Sequence, residues 1–207
     1  MKLQISFDLT DLKQAVQIAH DVEPLCDQFE IGSLTLYACG VEALRTFKTE
    51  FPNKKLVADA KIIDRSAEII ELLARAGADW ITIMGGTNKH VLFTAVQAAR
   101  RYNVQLMLDL IDAAAPGQIA MNAQTIGINS ILVHKPHDES ETSDFMDQWD
   151  LVHGNTQLPL FIAARITREN VAPIIALKPD GIIVGNTITQ SPKPAQEAEY
   201  FYHLCKG

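Results

Sequence analysis

Short apolar runs recur along this chain, and each ends on a polar residue or a glycine that a helix-like stretch follows. Strands that alternate with helices predict βαβ units around a parallel sheet, and eight such units close a (β/α)8 barrel. In that fold the active site lies at the carboxyl ends of the strands, so the residues that end the runs are candidate site residues. The eight runs end at Asp8, Glu30, Lys61, Gly85, Asp109, His134, Arg165 and Gly185.

The segments between the runs carry apolar residues at the spacing of an amphipathic helix. The first helix has Thr10 or Asp11 as its N-cap. The last is predicted to start near Ser191 and Pro192, with the proline in its first turn. No linker or charge run divides the chain, so residues 1–207 are expected to form one α/β domain, a TIM barrel. The other helical stretches cover residues 41–51, 66–78, 89–102, 115–127, 143–154, 167–178 and 194–206.

The composition narrows the function classes. A length of 207 residues is near the lower end for this barrel, roughly 200 residues, and leaves little room for a second domain. No apolar stretch approaches the roughly 18 residues that cross a bilayer, and the first residues are typical of a strand and not of a signal peptide. A formal net charge of −7 disfavours a nucleic-acid partner. Three cysteines without metal-type spacing are expected to be reduced, so we expect a cytoplasmic protein with a small-molecule ligand.

The segment VADAKIID holds the densest chemistry of the chain. Asp59 and Lys61 are two residues apart, so they face the same side of a strand end, and Asp64 follows in the loop. An ammonium group beside two carboxylates keeps its charge and can offset negative charge that develops on a substrate. The same residues could form an exposed, salt-bridged loop, and the spacing alone leaves both interpretations open.

Glu30 and Asp59 end neighbouring strands of the predicted barrel. One or two carboxylates, together with oxygens from substrate and water, are ligands that suit Mg²⁺. The two carboxylates are therefore a candidate magnesium site.

Asp59, Lys61 and Asp64 form a D-x-K-x-x-D motif that resembles the signature of the orotidine 5'-phosphate decarboxylase suprafamily. Within it, Asp8, the EIG sequence at Glu30, the LVADAKIID block and the polar endings of runs five and six resemble one branch. That branch contains 3-hexulose-6-phosphate synthase and 3-keto-L-gulonate-6-phosphate decarboxylase. The resemblance extends over essentially the whole chain and is strongest in its first half.

The resemblance implies a Mg²⁺-dependent lyase whose metal ligands are Glu30 and Asp59. Both activities of the branch pass through a cis-enediolate of a pentulose phosphate. Formaldehyde as the electrophile gives the synthase, and a proton gives the decarboxylase. A homodimer is also implied, in which Asp64 reaches the active site of the neighbouring subunit.

The resemblance also implies roles for four other residues. Asp8 and Lys61 line the substrate site. His134 handles protons at the reacting carbon, which suits a group with an unperturbed pKa near 6.5. Asp109 holds substrate hydroxyls or assists that proton transfer.

Two positions favour the synthase over the decarboxylase. Asp109 stands where the decarboxylase branch usually carries a glutamate. His137 stands where that branch has an arginine, three residues past His134. Aldol addition of formaldehyde to ribulose 5-phosphate is therefore the expected reaction, and decarboxylation of a keto sugar acid phosphate is the alternative. As purely structural residues, Asp109 could cap the following helix and His134 could be a hydrogen-bonded strand end.

The phosphate end departs from the family pattern. Barrels of this kind bind phosphate through backbone N–H groups in the loops after strands seven and eight. Ala164 and Arg165 replace a Gly-Gly pair, and Asn186 and Thr187 stand where an arginine-containing or glycine-rich sequence is often seen. Arg165 either pairs with phosphate or ties down surface carboxylates. The candidate phosphate-binding residues are Arg165, Gly185 and Asn186.

Two other functions stay open. A diverged barrel could bind a different ligand or regulate a partner without enolate chemistry, and the altered phosphate loops support this alternative. Unused buried charges would cost stability, which argues against it. Orotidine 5'-phosphate decarboxylation is the third option, and it needs neither a metal nor Glu30 in this role.

Overall fold

Eight parallel strands close into one barrel in sequence order, with the first strand beside the last. The computed structural model describes the backbone of residues 1–136 and 143–207, and their side chains except at 143–147. The (β/α)8 fold predicted from the hydrophobic pattern is confirmed. The strands are β1 Lys2–Phe7, β2 Gln28–Ile31, β3 Lys55–Ile62, β4 Trp80–Met84, β5 Gln105–Asp109, β6 Ser130–His134, β7 Leu160–Ala163 and β8 Gly181–Val184.

Helices follow every strand and surround the barrel. They are α1 Leu12–Val22, α2 Ser33–Cys39, α3 Glu42–Glu50, α4 Ser66–Arg75, α5 Lys89–Tyr102, α6 Pro116–Ile126, α7 Ser143–His153, α8 Val171–Ala176, α9 Asn186–Thr189 and α10 Pro194–Lys206. A 3-10 turn, Glu23–Leu25, follows α1. The short helices α2 and α9 are additional to those expected from the pattern, because seven and four residues are too few to show a helical period.

The two ends of the helical layer differ in how well the sequence predicts them. Asp11 is the N-cap of α1, and its carboxylate accepts hydrogen bonds from two N–H groups of the first turn. The expected start of the last helix near Ser191 and Pro192 is wrong, because α10 begins at Pro194. A proline disfavours helical backbone in the residue before it, and Lys193 accordingly has φ −138° and ψ 70°.

Two expectations from composition can be compared with the fold. Cys26, Cys39 and Cys205 are free thiols. Burial raises the pKa of the Cys26 thiol to about 12, so this thiol stays protonated at neutral pH. Across the described parts of the chain, none of the helices has the length and apolar character needed to cross a membrane.

An aromatic cluster packs the outer faces of β1 and β2 against α3. The rings of Phe7 and Phe29 are 5.2 Å apart in an edge-to-face arrangement, and Phe47 lies 5.1 Å from Phe7. All three side chains are fully buried. Because successive side chains of a strand point to opposite faces, this packing fixes the residues of β1 and β2 that point into the barrel.

The interior of the barrel is divided into two halves. The polar half consists of buried polar side chains on β1 to β4, namely Gln4, Ser6, Gln28, Glu30, Asp59 and Thr82. The apolar half is a separate cluster on β5 to β8, formed by Met107, Leu132, Phe161 and Ile183. The candidate site lies at the carboxyl ends of the strands, above both halves.

Candidate active site

The carboxyl ends of five strands bring six of the predicted site residues together. Their charges act on one another, since Asp59, Lys61 and His134 each influence the pKa of Asp8. The six residues are Asp8, Glu30, Asp59, Lys61, Asp109 and His134.

Lys61 is the centre of the ion pairs. Its Nζ bonds the Oδ2 atom of Asp59, donates to the hydroxyl of Ser33 at 3.2 Å and lies 3.9 Å from the Oδ2 atom of Asp109. Ser33 in turn donates to Asp59 at 2.7 Å. Burial alone would lower the pKa of Lys61, but the charges of Asp59 and Asp109 raise it above its ordinary value. The site therefore holds a permanent cation.

An irregularity in β3 sets the position of Lys61. The register between β3 and β4 shifts between Ala58 and Ile62, and Lys61 has a left-handed φ of 45°. Thr82 on β4 supports this backbone, because its hydroxyl accepts the N–H of Lys61 at 2.9 Å and donates to Asp59 at 3.0 Å. A left-handed non-glycine residue costs about 1–3 kcal/mol and is often found at active sites.

Asp109 links Lys61 to the histidine of the site. Its Oδ2 atom lies 2.9 Å from Nδ1 of His134, and Asp109 is fully buried. Burial alone would lower the pKa of His134, but the hydrogen bond and the charge of Asp109 raise it. The other carboxylate oxygen accepts the N–H of Ile111 at 3.0 Å, and α6 starts only at Pro116. Asp109 therefore does not cap that helix.

Glu30 and Asp59 differ in their protonation although both are buried. Burial, followed by the charge of Asp59, raises the pKa of Glu30 to about 7. Burial would also raise the pKa of Asp59, but the charge and the hydrogen bond of Lys61 bring it below the ordinary value. The influence of one carboxylate on the other shows that they share one region of the barrel mouth.

These two carboxylates fit a magnesium ion. Among the described residues no group of three or more His, Cys, Asp or Glu side chains is arranged to hold a metal. A third protein ligand is not needed, because Mg²⁺ usually takes one or two carboxylates and completes its shell with substrate and water. A cation between Glu30 and Asp59 would also relieve the repulsion between two like charges.

Asp8 closes the site on the side of β1. Its Oδ1 atom accepts the N–H of Leu34 at 3.0 Å. A Cβ atom on Gly32 would lie 2.2 Å from that oxygen, so the glycine of the EIG sequence is required by the close approach of Asp8. Burial, and to a smaller extent the charge of Asp59, raises the pKa of Asp8.

Asp64 lies apart from these residues. It is exposed in the loop after β3, and within the described chain no hydrogen bond or ion pair joins it to Lys61. The structure of one subunit therefore does not bring Asp64 to its own site.

The predicted phosphate residues form a second group, at the loops after β7 and β8. Arg165 is exposed and has a left-handed φ of 46°. Gly185 precedes α9, and Asn186 is its exposed first residue. Thr187 uses its hydroxyl to bond the carbonyl of Ile166 at 2.7 Å. His137, on which part of the choice between synthase and decarboxylase depends, lies outside the described residues.

Several residues that complete the site were not among the predicted ones. Ser33 and Thr82 contact Asp59 and Lys61, and Gln4 and Ser6 contact Glu30. A signal exists for those on β1, because Gln4, Ser6 and Asp8 alternate with apolar residues and so share the inner face of the strand. Ser33 carries no such signal, since it lies in the unpredicted helix α2.

Charged residues gathered at the carboxyl ends of a closed parallel barrel define the class of protein, a TIM-barrel enzyme, and its relatives show it to be a lyase. The chain belongs to the orotidine 5'-phosphate decarboxylase / HUMPS family, whose match covers residues 1–201. The resemblance inferred from the D-x-K-x-x-D motif is thereby confirmed.

Individual relatives fall in both branches of the family. A 3-hexulose-6-phosphate synthase of Bacillus subtilis (strain 168) is 29% identical over 206 residues, which are 99% of this chain and 98% of that protein. The crystal structure of 3-hexulose-6-phosphate synthase from Salmonella typhimurium has a TM-score of 0.91 at 28% identity, covering 99% of this chain and 98% of the other. A sugar-phosphate complex of KGPDC from Streptococcus mutans has a TM-score of 0.90 at 22% identity, covering 99% and 97%, and shows the shared fold.

Proposed function

We propose that this protein is a Mg²⁺-dependent aldehyde-lyase that joins formaldehyde to C1 of D-ribulose 5-phosphate. The observation that carries the proposal is the chain of contacts from Lys61 through Asp109 to His134, beside the carboxylates of Glu30 and Asp59. It combines a fixed cation with a proton-transfer group in one site. The relatives named 3-hexulose-6-phosphate synthase support this reaction over others of the family.

His134 is the proposed proton-transfer group. Asp109 occupies Nδ1, which leaves Nε2 to face the substrate, and a buried carboxylate behind an imidazole fixes the orientation of the ring. Because the pKa of His134 is raised, the imidazolium that forms after proton abstraction is stabilised.

Lys61 is the proposed stabiliser of the enediolate. Its ammonium is positioned by Asp59, Ser33 and the left-handed backbone, so it needs little reorganisation when negative charge develops on a substrate oxygen. Asp8 lines the same side of the mouth and would contact substrate hydroxyls.

The proposed reaction balances without a redox partner. His134 removes one proton from C1 of ribulose 5-phosphate, and the electron pair of that bond enters the enediolate. C1 then forms a bond to the carbon of formaldehyde, whose oxygen gains the electron pair of the carbonyl. That oxygen takes up the proton held by His134, and the product is a hexulose 6-phosphate.

Glu30 and Asp59 would hold the magnesium ion. When bound, Mg²⁺ supplies Lewis-acid stabilisation of negative charge on oxygen. The chain's own contribution is to keep Asp59 ionised through Lys61 and to fix both oxygens of Glu30 with donors from β1.

Phosphate is proposed to bind at the loops after β7 and β8. Gly185 and Asn186 would offer backbone N–H groups, and Arg165 would add a positive charge beside them. The sugar-phosphate complex of the Streptococcus mutans KGPDC supports a sugar phosphate as the ligand.

A homodimer is proposed in which Asp64 contributes to the site of the partner. The surface around Asp64 supports it, because Ile63 is 64% exposed and Leu34 and Tyr37 on the neighbouring α2 are 56% and 85% exposed. Large apolar side chains grouped beside an active site are typical of an interface.

Mixed subunits test the shared site. Inactive Asp64→Ala and inactive Lys61→Ala subunits should recover part of the activity after subunit exchange, because each hybrid dimer would contain one intact site. If exchange is demonstrated by mass spectrometry and activity does not return, Asp64 does not act across the interface.

Proton NMR of D-ribulose 5-phosphate in D₂O tests the proposed function. With the enzyme and Mg²⁺, one C1 proton should exchange for deuterium, and added formaldehyde should be consumed. Exchange without consumption of formaldehyde, together with release of CO₂ from 3-keto-L-gulonate 6-phosphate, would select the decarboxylase. An enzyme that is inert in all three assays would instead be a diverged barrel with another ligand.

A further inference from the structure

A chain of buried side-chain amides crosses the polar half of the barrel and ends at Glu30. The side-chain N–H of Gln28 donates to the amide oxygen of Gln4, and the N–H of Gln4 donates to the Oε2 atom of Glu30. Ser6 donates to the other oxygen, Oε1, at 2.5 Å. Strand register brings these residues together, because Gln4 is paired with Gln28 and Ser6 with Glu30 along β1 and β2.

The arrangement fixes the carboxylate of Glu30 while leaving it able to bind another group. Gln4 is fully buried, and Ser6 and Gln28 are almost fully buried. Because Gln28 occupies the amide oxygen of Gln4, the NH₂ group of Gln4 is the end that faces Glu30. Each carboxylate oxygen can accept more than one hydrogen bond, so one donor on each leaves a lone pair of each oxygen for a ligand.

We propose that Gln4 and Ser6, with Gln28 behind Gln4, are positioning residues that hold Glu30 in the orientation in which it binds a divalent metal. This inference rests on the proposed function to the extent that Glu30 is a metal ligand. Groups that orient a ligating carboxylate are commonly worth about 10–100-fold in metal affinity. A chain that served stability alone would satisfy the buried carboxylate without affecting metal affinity.

Binding of Mn²⁺ separates positioning from stability. The free Mn²⁺ signal in electron paramagnetic resonance is titrated with the full-length protein and its variants, without substrate, and the melting temperature of each variant is measured in parallel. Gln4→Met removes the amide at similar size. Ser6→Thr keeps the hydroxyl, and Ser6→Val has the same shape without it. Met107→Leu in the apolar half is the control for a change inside the barrel.

We expect Gln4→Met and Ser6→Val to weaken Mn²⁺ binding by about 10–100-fold, while Ser6→Thr and Met107→Leu bind nearly as the unchanged protein does. Wild-type affinity in folded Gln4→Met and Ser6→Val would overturn the positioning role. Equal weakening in Ser6→Thr and Ser6→Val would also overturn it, because the hydroxyl would then be irrelevant.

Glu30→Gln distinguishes the failure of this inference from the failure of the metal site. If Glu30→Gln loses Mn²⁺ binding and the Gln4 and Ser6 variants do not, the metal site stands and the positioning role is wrong. If the unchanged protein binds no Mn²⁺, or Glu30→Gln binds it as well as the unchanged protein, the proposed metal site fails and the inference fails with it.

Discussion

The two halves of the barrel interior are built by the same alternation of side chains but serve different ends. In the polar half, Glu30 and Asp59 are buried and their oxygens accept hydrogen bonds from neighbouring strands. In the apolar half, Leu132 and Ile183 make only a packed cluster with Met107 and Phe161. Buried charges seldom add stability even when they are paired, whereas buried apolar groups do. The difference indicates that one half stabilises the barrel and the other prepares it for chemistry.

The largest expected effect is on stability and comes from the apolar half. Ile183→Ala removes a buried side chain on β8, on the opposite side of the interior from Lys61. The free energy of unfolding, measured by urea denaturation, should fall by about 2–5 kcal/mol. The turnover of the remaining folded enzyme should stay within about tenfold, because a substitution in the apolar half changes no group that acts on substrate. A loss of turnover without loss of stability would break the division between the halves.

The second largest effect is on catalysis and comes from the site above the polar half. Lys61→Ala should reduce turnover by more than about a hundredfold, the range for removal of one stabiliser of an oxyanion. Circular dichroism should show an intact fold. The matched control is Lys55→Ala, because Lys55 lies on the same strand and pairs with Asp79 at 2.6 Å at the other end of the barrel. Similar losses in both variants would remove Lys61 from the mechanism.

A smaller effect is expected where Thr82 joins Lys61 to Asp59. Thr82→Val keeps the shape but leaves the N–H of Lys61 and one oxygen of Asp59 without this partner. Stability should fall by about 1–3 kcal/mol, the cost of an unsatisfied buried polar group. Turnover should fall as well, because the position of Lys61 is no longer fixed, and Thr82→Ser should restore most of both. If valine and serine behave alike, the hydroxyl has no positioning role.

The smallest change is a shift in the titration of His134. Asp109→Asn removes the charge that raises the pKa of His134 and leaves burial, which lowers it. The pKa should therefore fall below the ordinary value near 6.5, as followed by NMR of the imidazole protons. In the unchanged protein the raised pKa means that the pair stabilises the fold at low pH, and that this contribution is lost as pH rises through the folded pKa. An unchanged titration in Asp109→Asn would show that another group controls His134.

The pattern of the sequence predicts the strand ends better than the contacts between strands. Asp8, Glu30, Asp59, Lys61, Asp109 and His134 each follow or end an apolar run, so the barrel topology alone places them at one mouth. Thr82 could not be selected in this way. Its role depends on the register shift between β3 and β4 and on the left-handed backbone of Lys61, neither of which has a period in the sequence.

The phosphate end shows the same limit from the other side. The family pattern of glycines is absent at Ala164 and Arg165, and only the structure shows that Arg165 takes a left-handed conformation without being a glycine. Helix α9 and the start of α10 at Pro194 were also beyond the pattern, because four helical residues and a local proline effect are set by backbone geometry.

Formation of a carbon–carbon bond tests the central claim most directly. D-ribulose 5-phosphate labelled with ¹³C at C1 is incubated with ¹³C-formaldehyde, Mg²⁺ and the enzyme, and the products are observed by ¹³C NMR. We expect a product in which the two labelled carbons are coupled to each other, and a much lower rate of its formation by Lys61→Ala. Complete absence of that coupling, from a folded enzyme that exchanges no C1 proton, would contradict the proposed aldol reaction.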